Sequence, residues 1–148
     1  MNEFENSIIV EFPLRGEWMA LNTPGKQIPS HGTDQLGQRY AYDFLQVNWE
    51  KSGLHFYGPS KLRYLLFGVP LKKCFGWGEK VYAPCDGKVI QVADGYRERP
   101  IVYLVSDLLV LIKNALTFNP EKAGLQPVVG NYIIMECQNN VFAFFAHL

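Results

Sequence analysis

The sequence has no excess of charge of either sign, since its 148 residues include 14 Lys and Arg against 14 Asp and Glu. This balance argues against the strongly basic surface of a nucleic-acid binder and leaves no basic tail for a membrane surface. No segment approaches the ~18 apolar residues of a membrane-spanning helix. The opening MNEFENSIIVEF is acidic with a short apolar run, which does not resemble a signal peptide. We therefore expect neither nucleic acid nor membrane among the partners.

Cysteine is also scarce. Cys74, Cys85 and Cys137 form no CxxC motif and are odd in number, so we expect neither a disulfide framework nor a cysteine zinc site. Cys85, within APCDG, is interpreted as a small buried apolar residue. Apolar residues are plentiful, at 48% of the chain with 14% aromatic, and the length suits a single domain spanning residues 1–148.

Strand patterns outnumber helix patterns, which predicts a mainly β fold with antiparallel sheets. The strand predictions are residues 7–12, residues 39–45 with Tyr40, Tyr42 and Phe44 on one side, and a hairpin over residues 81–95 that turns at Asp86-Gly87. Residues 46–78 are rich in glycine and proline and are interpreted as an insertion over the sheet, with a helical turn at residues 60–67. One short helix is predicted over residues 106–116, capped by Ser106.

The C-terminal segment GNYIIMECQNNVFAFFAHL predicts a second hairpin, with Asn139 and Asn140 as a two-residue turn. That turn would align Tyr132 with His147. Alternation would then place His147 opposite an apolar core face formed by Ile133, Met135, Cys137, Phe142, Phe144 and Ala146. A slip of one residue would reverse this assignment of faces.

Three blocks together resemble the lysostaphin/LytM-type zinc metallopeptidases, which cleave peptide cross-bridges of bacterial cell walls. The blocks are SHGTDQLGQRYAYDF, VYAPCDGKVIQVADG and GNYIIMECQNNVFAFFAHL, in that order. The resemblance implies a peptidase-type β-sandwich or open barrel whose groove holds zinc. It also implies a peptide or peptidoglycan cross-bridge as partner, and work in the cell envelope or outside the cell.

The resemblance assigns roles to three residues. His31 matches the family's first zinc ligand, Asp43 within AYDF matches the second, and His147 within AHL matches a catalytic acid/base histidine. Asp34, three residues after His31, is a rival to Asp43 as ligand. The family's third ligand belongs to a late HxH motif, which this sequence lacks, and His55 matches no motif.

A catalytic zinc ion generally takes three protein ligands, so we expect zinc binding to be weak or absent and the chain alone to be inactive. The alternative is a non-catalytic relative that binds a peptide or protein in the same groove. A carrier-type barrel is a third hypothesis drawn from APCDG alone, although Lys88 is a poor match to the attachment residue such a carrier needs.

The last strand predicts an exposed edge, because VFAFFAHL is apolar and uncharged. We expect this edge to be covered, either by further polypeptide in a longer natural protein or by pairing with a second copy or a partner. A truncated peptidase-like domain is the favoured interpretation.

Overall fold

The computed structural model describes residues 7–51, 55–57, 61–103 and 125–148. Within these residues the chain is mainly β, with seven strands in three antiparallel sheets and a few short helices, as the sequence predicts. None of the helices in the described ranges is long and apolar enough to cross a membrane. The strands are β1 (Trp18–Ala20), β2 (Phe44–Gln46), β3 (Val69–Pro70), β4 (Lys88–Ala93), β5 (Ile101–Val102), β6 (Tyr132–Glu136) and β7 (Phe142–Ala146).

The chain divides into two compact units. The first, called here the three-stranded unit, comprises Met1–Pro13, Val81–Glu98 and Leu108–Leu148. The second, called the two-sheet unit, comprises Leu14–Lys80 and Arg99–Asp107.

The two-sheet unit contains two small sheets and one helix. β1 pairs with β2, and β3 pairs with β5. Helix α1 (Lys61–Phe67) lies where the sequence predicts a helical turn, and it ends at Gly68. The positive φ of 71° at Gly68 lets the chain leave the helix directly into β3. The buried apolar residues of this unit are Leu14, Val47, Tyr57 and Val69.

The three-stranded unit has the strand order β4-β6-β7, and all of its pairs are antiparallel. A short helix, α2 (Gln126–Val129), leads into β6 through Gly130. Its buried apolar residues are Val129, Tyr132 and Met135. The ring of Phe144 meets Tyr132 edge-on, with centroids 5.6 Å apart.

The predicted register of the C-terminal hairpin is wrong by one residue. Tyr132 pairs with Ala146 rather than His147, and Glu136 pairs with Phe142. The loop has three residues, Gln138–Asn140, because both Asn139 and Asn140 adopt a left-handed φ of 57° and the Cys137 N–H bonds to the Val141 carbonyl oxygen. The predicted core face is therefore wrong too, since Ile133 and Met135 stand opposite Phe145 and Ala143.

The hairpin predicted over residues 81–95 does not form. Only its second half is a strand, and β4 pairs with β6, about forty residues later in the chain. Gly87 is needed for close approach rather than for a turn, since a Cβ there would collide with the Glu136 carbonyl oxygen and lie 2.6 Å from Met135 Cε.

Three further predictions concern strands at residues 7–12 and 39–45 and a helix at residues 106–116. Residues 7–12 form no strand. Of residues 39–45, only the end belongs to β2, because Gln35–Tyr40 form a distorted 3-10 helix with left-handed angles at Leu36 and Gly37. The helix predicted over residues 106–116 lies outside the described residues.

Candidate functional site

Asp43 is positioned by the backbone that extends the β1–β2 ladder. Its N–H donates to the Asn22 carbonyl oxygen at 3.1 Å, and its own carbonyl oxygen accepts from the Leu21 N–H at 2.8 Å. The side chain of Asn22 also reaches Asp43, with Nδ2 donating to Oδ2 at 2.7 Å. These bonds set the carboxylate at the entry to β2.

His31 meets Asp43 directly. The imidazole Nε2 lies 2.9 Å from Asp43 Oδ2, although twelve residues separate the two in sequence. The side chain of His31 is 20% exposed and that of Asp43 is 44% exposed. The pair is therefore accessible from solvent and partly enclosed by protein.

Ser30 holds the other side of the imidazole. Its side chain is buried, with only 3% of the residue exposed, and its Oγ lies 2.9 Å from His31 Nδ1. The same Oγ donates to the Gln38 carbonyl oxygen at 2.8 Å, while the Ser30 N–H donates to the Arg39 carbonyl oxygen. Ser30 thus closes the loop that joins His31 to Asp43.

The contacts of Ser30 favour a proton on Nδ1 of His31. A serine hydroxyl has one proton, and Ser30 donates it to Gln38, so Oγ must accept from a proton on Nδ1. An ionised carboxylate only accepts. At 2.9 Å from Oδ2, Nε2 hydrogen-bonds Asp43 only through a proton of its own, and it must lose that proton before its lone pair can bind a cation.

This donor set suits zinc in part. Two ligands at Zn–N and Zn–O lengths of ~2.1 Å in a tetrahedral site stand about 3.4 Å apart. The observed 2.9 Å would need to widen by about 0.5 Å to admit the ion. A proton on Nδ1 bonded to a neighbouring oxygen is the usual support for a histidine that binds metal through Nε2. His31 and Asp43 could therefore supply two of the four ligands of a tetrahedral zinc site.

The described residues supply no third ligand. Among the described residues, no group of three or more His, Cys, Asp or Glu side chains could hold a metal ion. Asp34, the rival to Asp43, instead forms an exposed ion pair with Arg39. The pKa of Arg39 is raised above its ordinary value by hydrogen bonds to Tyr40 and Asp34 and by the Asp34 charge.

His147 belongs to the three-stranded unit, whereas His31 and Asp43 belong to the two-sheet unit. It follows β7 with a positive φ of 60°. Its N–H donates to the Val129 carbonyl oxygen at 2.9 Å, and the Leu148 N–H donates to the Asn131 carbonyl oxygen. The backbone around His147 is thus hydrogen-bonded to the segment between α2 and β6.

His55, which matched no motif, packs its ring against Trp49 with centroids 4.7 Å apart. Its Nδ1 atom is buried and has no hydrogen-bond partner among the described residues.

Sequence reasoning missed two members of the site. Ser30 lies in the SHGTDQLGQRYAYDF block without a predicted role, yet it supports the imidazole and closes the loop. Asn22 lies 21 residues before Asp43 in the chain and belongs to none of the three blocks. A serine directly before a candidate ligand histidine is a signal that could have identified Ser30, whereas no local pattern marks Asn22.

No family model, no curated protein and no solved structure matches the chain.

Proposed function

We propose that this chain is a zinc metallopeptidase-like domain related to peptidoglycan endopeptidases, with His31 and Asp43 as two zinc ligands. The observation that supports the proposal best is the 2.9 Å contact between Nε2 and Oδ2. The family resemblance implies this juxtaposition across twelve residues, and the contact of Ser30 with Nδ1 supports Nε2 as the atom that would bind the metal.

Each residue has a defined task in this proposal. Ser30 orients the ring and keeps the proton on Nδ1. Asn22 aligns the carboxylate of Asp43 by donating to Oδ2. A zinc ion held by Nε2 and Oδ2 would supply a Lewis acid that polarises a peptide carbonyl. The role of His147 as acid/base rests on the resemblance alone.

Two ligands hold zinc weakly, so we expect this chain alone to hydrolyse no peptide at a meaningful rate. Catalytic zinc sites generally have three protein ligands and one open position. A site with two leaves the ion exposed to competition from water and other chelators.

Calorimetric titration with zinc tests the proposal. We expect binding tighter than millimolar, weakened at least about tenfold by His31→Ala and by Asp43→Asn. Asp34→Asn is the matched control, because that carboxylate lies three residues from His31 but pairs with Arg39. Millimolar binding that is unchanged by His31→Ala would contradict the proposal.

A specific observation favours the alternative, a non-catalytic module that binds a peptide or protein. Asp43 Oδ2 already has two partners, Asn22 Nδ2 and His31 Nε2, so the network is satisfied without a metal. In this alternative, the hydrogen bonds of His31 and Asp43 stabilise the loop that joins these two residues and bind no metal. Titration of a glycine-containing peptide with and without a zinc chelator separates the two, because only the metallopeptidase-like site would lose binding on chelation.

A further inference from the structure

Two of the three cysteines meet at one end of the three-stranded unit. Cys85 Sγ donates to Cys137 Sγ at 3.0 Å, although the residues are 52 positions apart in sequence. A disulfide bond is ~2.05 Å long, so about 1 Å of movement would join them. Both thiols are free and half-buried.

The strand register brings these two residues together. Cys85 comes shortly before β4 and Cys137 directly after β6, and the ladder aligns Lys88 with Glu136. Because the two strands are antiparallel, the residues before β4 and after β6 lie at the same end of the sheet. Gly87 permits the approach, since any side chain there would collide with the backbone of Glu136. The backbone pairing of β4 with β6 therefore holds Cys85 and Cys137 close together.

Cys85 also borders an open cavity of about 690 Å³. Its polar lining includes Glu11, Asp86 and Gln138, and the segment containing Ile8 and Ile9 forms another wall. A small molecule in solution can thus approach the sulfur of Cys85 without unfolding the sheet.

We infer that Cys85 and Cys137 are a thiol–disulfide exchange site that takes small-molecule disulfides and closes to an intramolecular disulfide. One cysteine thiolate attacks the small disulfide RSSR, forms a mixed disulfide and releases one thiolate, which takes up a proton as RSH. The second cysteine thiolate attacks the protein sulfur of the mixed disulfide and releases the other RSH. In total, two cysteine thiols are oxidised and one RSSR is reduced to two RSH.

The hydrogen bond from Cys85 to Cys137 slows this exchange at neutral pH. Together with burial, it raises the pKa of Cys85 to about 11. Cys85 therefore remains protonated near neutral pH, where a thiol is a poor nucleophile. We expect the dithiol to close slowly at neutral pH and faster in mildly alkaline buffer.

Closure would tie the start of β4 to the end of β6 and restrict the unfolded chain. Cross-links across loops of this length stabilise native structure when the geometry is unstrained. We expect the melting temperature to rise by on the order of 10 °C on oxidation.

The test treats the full chain with graded ratios of oxidised and reduced glutathione. In the wild type and in Cys74→Ser, we expect a mass loss of two hydrogens, with peptide mapping under non-reducing conditions joining Cys85 to Cys137. Cys74→Ser is the matched control because it removes the third thiol, which lies in the other unit. Cys85→Ser and Cys137→Ser should each carry one glutathione on the remaining partner and never lose two hydrogens.

Two results would overturn the inference. One is a stable glutathione adduct on Cys85 or Cys137 of the wild type with no joined peptide at any ratio. The other is a joined peptide that contains Cys74. The wild-type map needs no substitution, so it decides the question even if a variant fails to fold.

Discussion

The His31–Asp43 pair and the Cys85–Cys137 pair are brought together by different means. The first depends on polar side chains: Ser30 and Asn22 hydrogen-bond the two members from either side. The second depends on backbone register, because β4 and β6 align and Gly87 lets them approach closely. Loss of a polar side chain should therefore separate His31 from Asp43, whereas the cysteines should separate only when a substitution displaces the backbone of β4 or β6.

Gly87→Ala should have the largest effect on stability. The added Cβ would collide with the Glu136 carbonyl oxygen and crowd Met135 Cε, and overpacking of this kind costs about 2 to 3 kcal/mol. Urea denaturation measures the loss, and closure of the cysteine disulfide should slow in parallel.

Gly25→Ala is the control for that substitution. A Cβ at Gly25 would meet only Thr23 Oγ1, at the ordinary contact distance of 3.4 Å, so its stability should stay within about 0.5 kcal/mol of the wild type. An equal loss in both variants would show that the close approach of β4 to β6 does not depend on Gly87.

Ser30→Ala should follow in magnitude. It removes the hydroxyl of the buried Ser30 from the partly buried Gln38 carbonyl oxygen and His31 Nδ1, and we expect a loss of about 1 kcal/mol, the low end of the cost of leaving such groups unsatisfied. Zinc affinity should fall about tenfold as well, because the ring loses its support. Thr33→Ala, which removes a hydroxyl whose one hydrogen bond to a described residue is from the Gln35 N–H, should change neither quantity. A Ser30→Ala chain with unchanged stability would mean that the loop is held by other contacts.

These differences explain how much of the molecule was predictable. The mainly β class and the strand character of residues 132–136 and 142–146 follow from local alternation. The register of that hairpin could not be predicted in this way, because it depends on the left-handed backbone at both Asn139 and Asn140. The same pair of asparagines is compatible with a two-residue turn and with a three-residue loop, so the sequence alone does not determine the register.

Long-range pairing was the other obstacle. Asp86-Gly87 favours a tight turn locally, but β4 finds its partner in β6, and no nearby residue signals that choice. The cysteine pair was missed for the same reason, since an odd count with no CxxC gives no indication of which two residues meet. The contact of His31 with Asp43 was expected from the family resemblance, whereas the contribution of Asn22 depends on the β1–β2 ladder.

The smallest effect is expected from the Asp34–Arg39 ion pair. Both side chains are exposed, at 64% and 46%, and exposed pairs are screened by salt and contribute little. Asp34→Asn should therefore leave the unfolding midpoint nearly unchanged, and any difference should vanish in high salt. A large shift that persisted in high salt would indicate that Asp34 belongs to the His31 network after all.

Nitrogen-15 NMR of the His31 ring during zinc titration tests the central claim most directly. We predict that zinc shifts the Nε2 resonance as a metal ligand while Nδ1 keeps its proton and its bond to Ser30, and that Asp43→Asn abolishes the change. If zinc leaves both ring nitrogens of His31 unaltered while the chain stays folded, the metal site proposed at His31 and Asp43 does not exist.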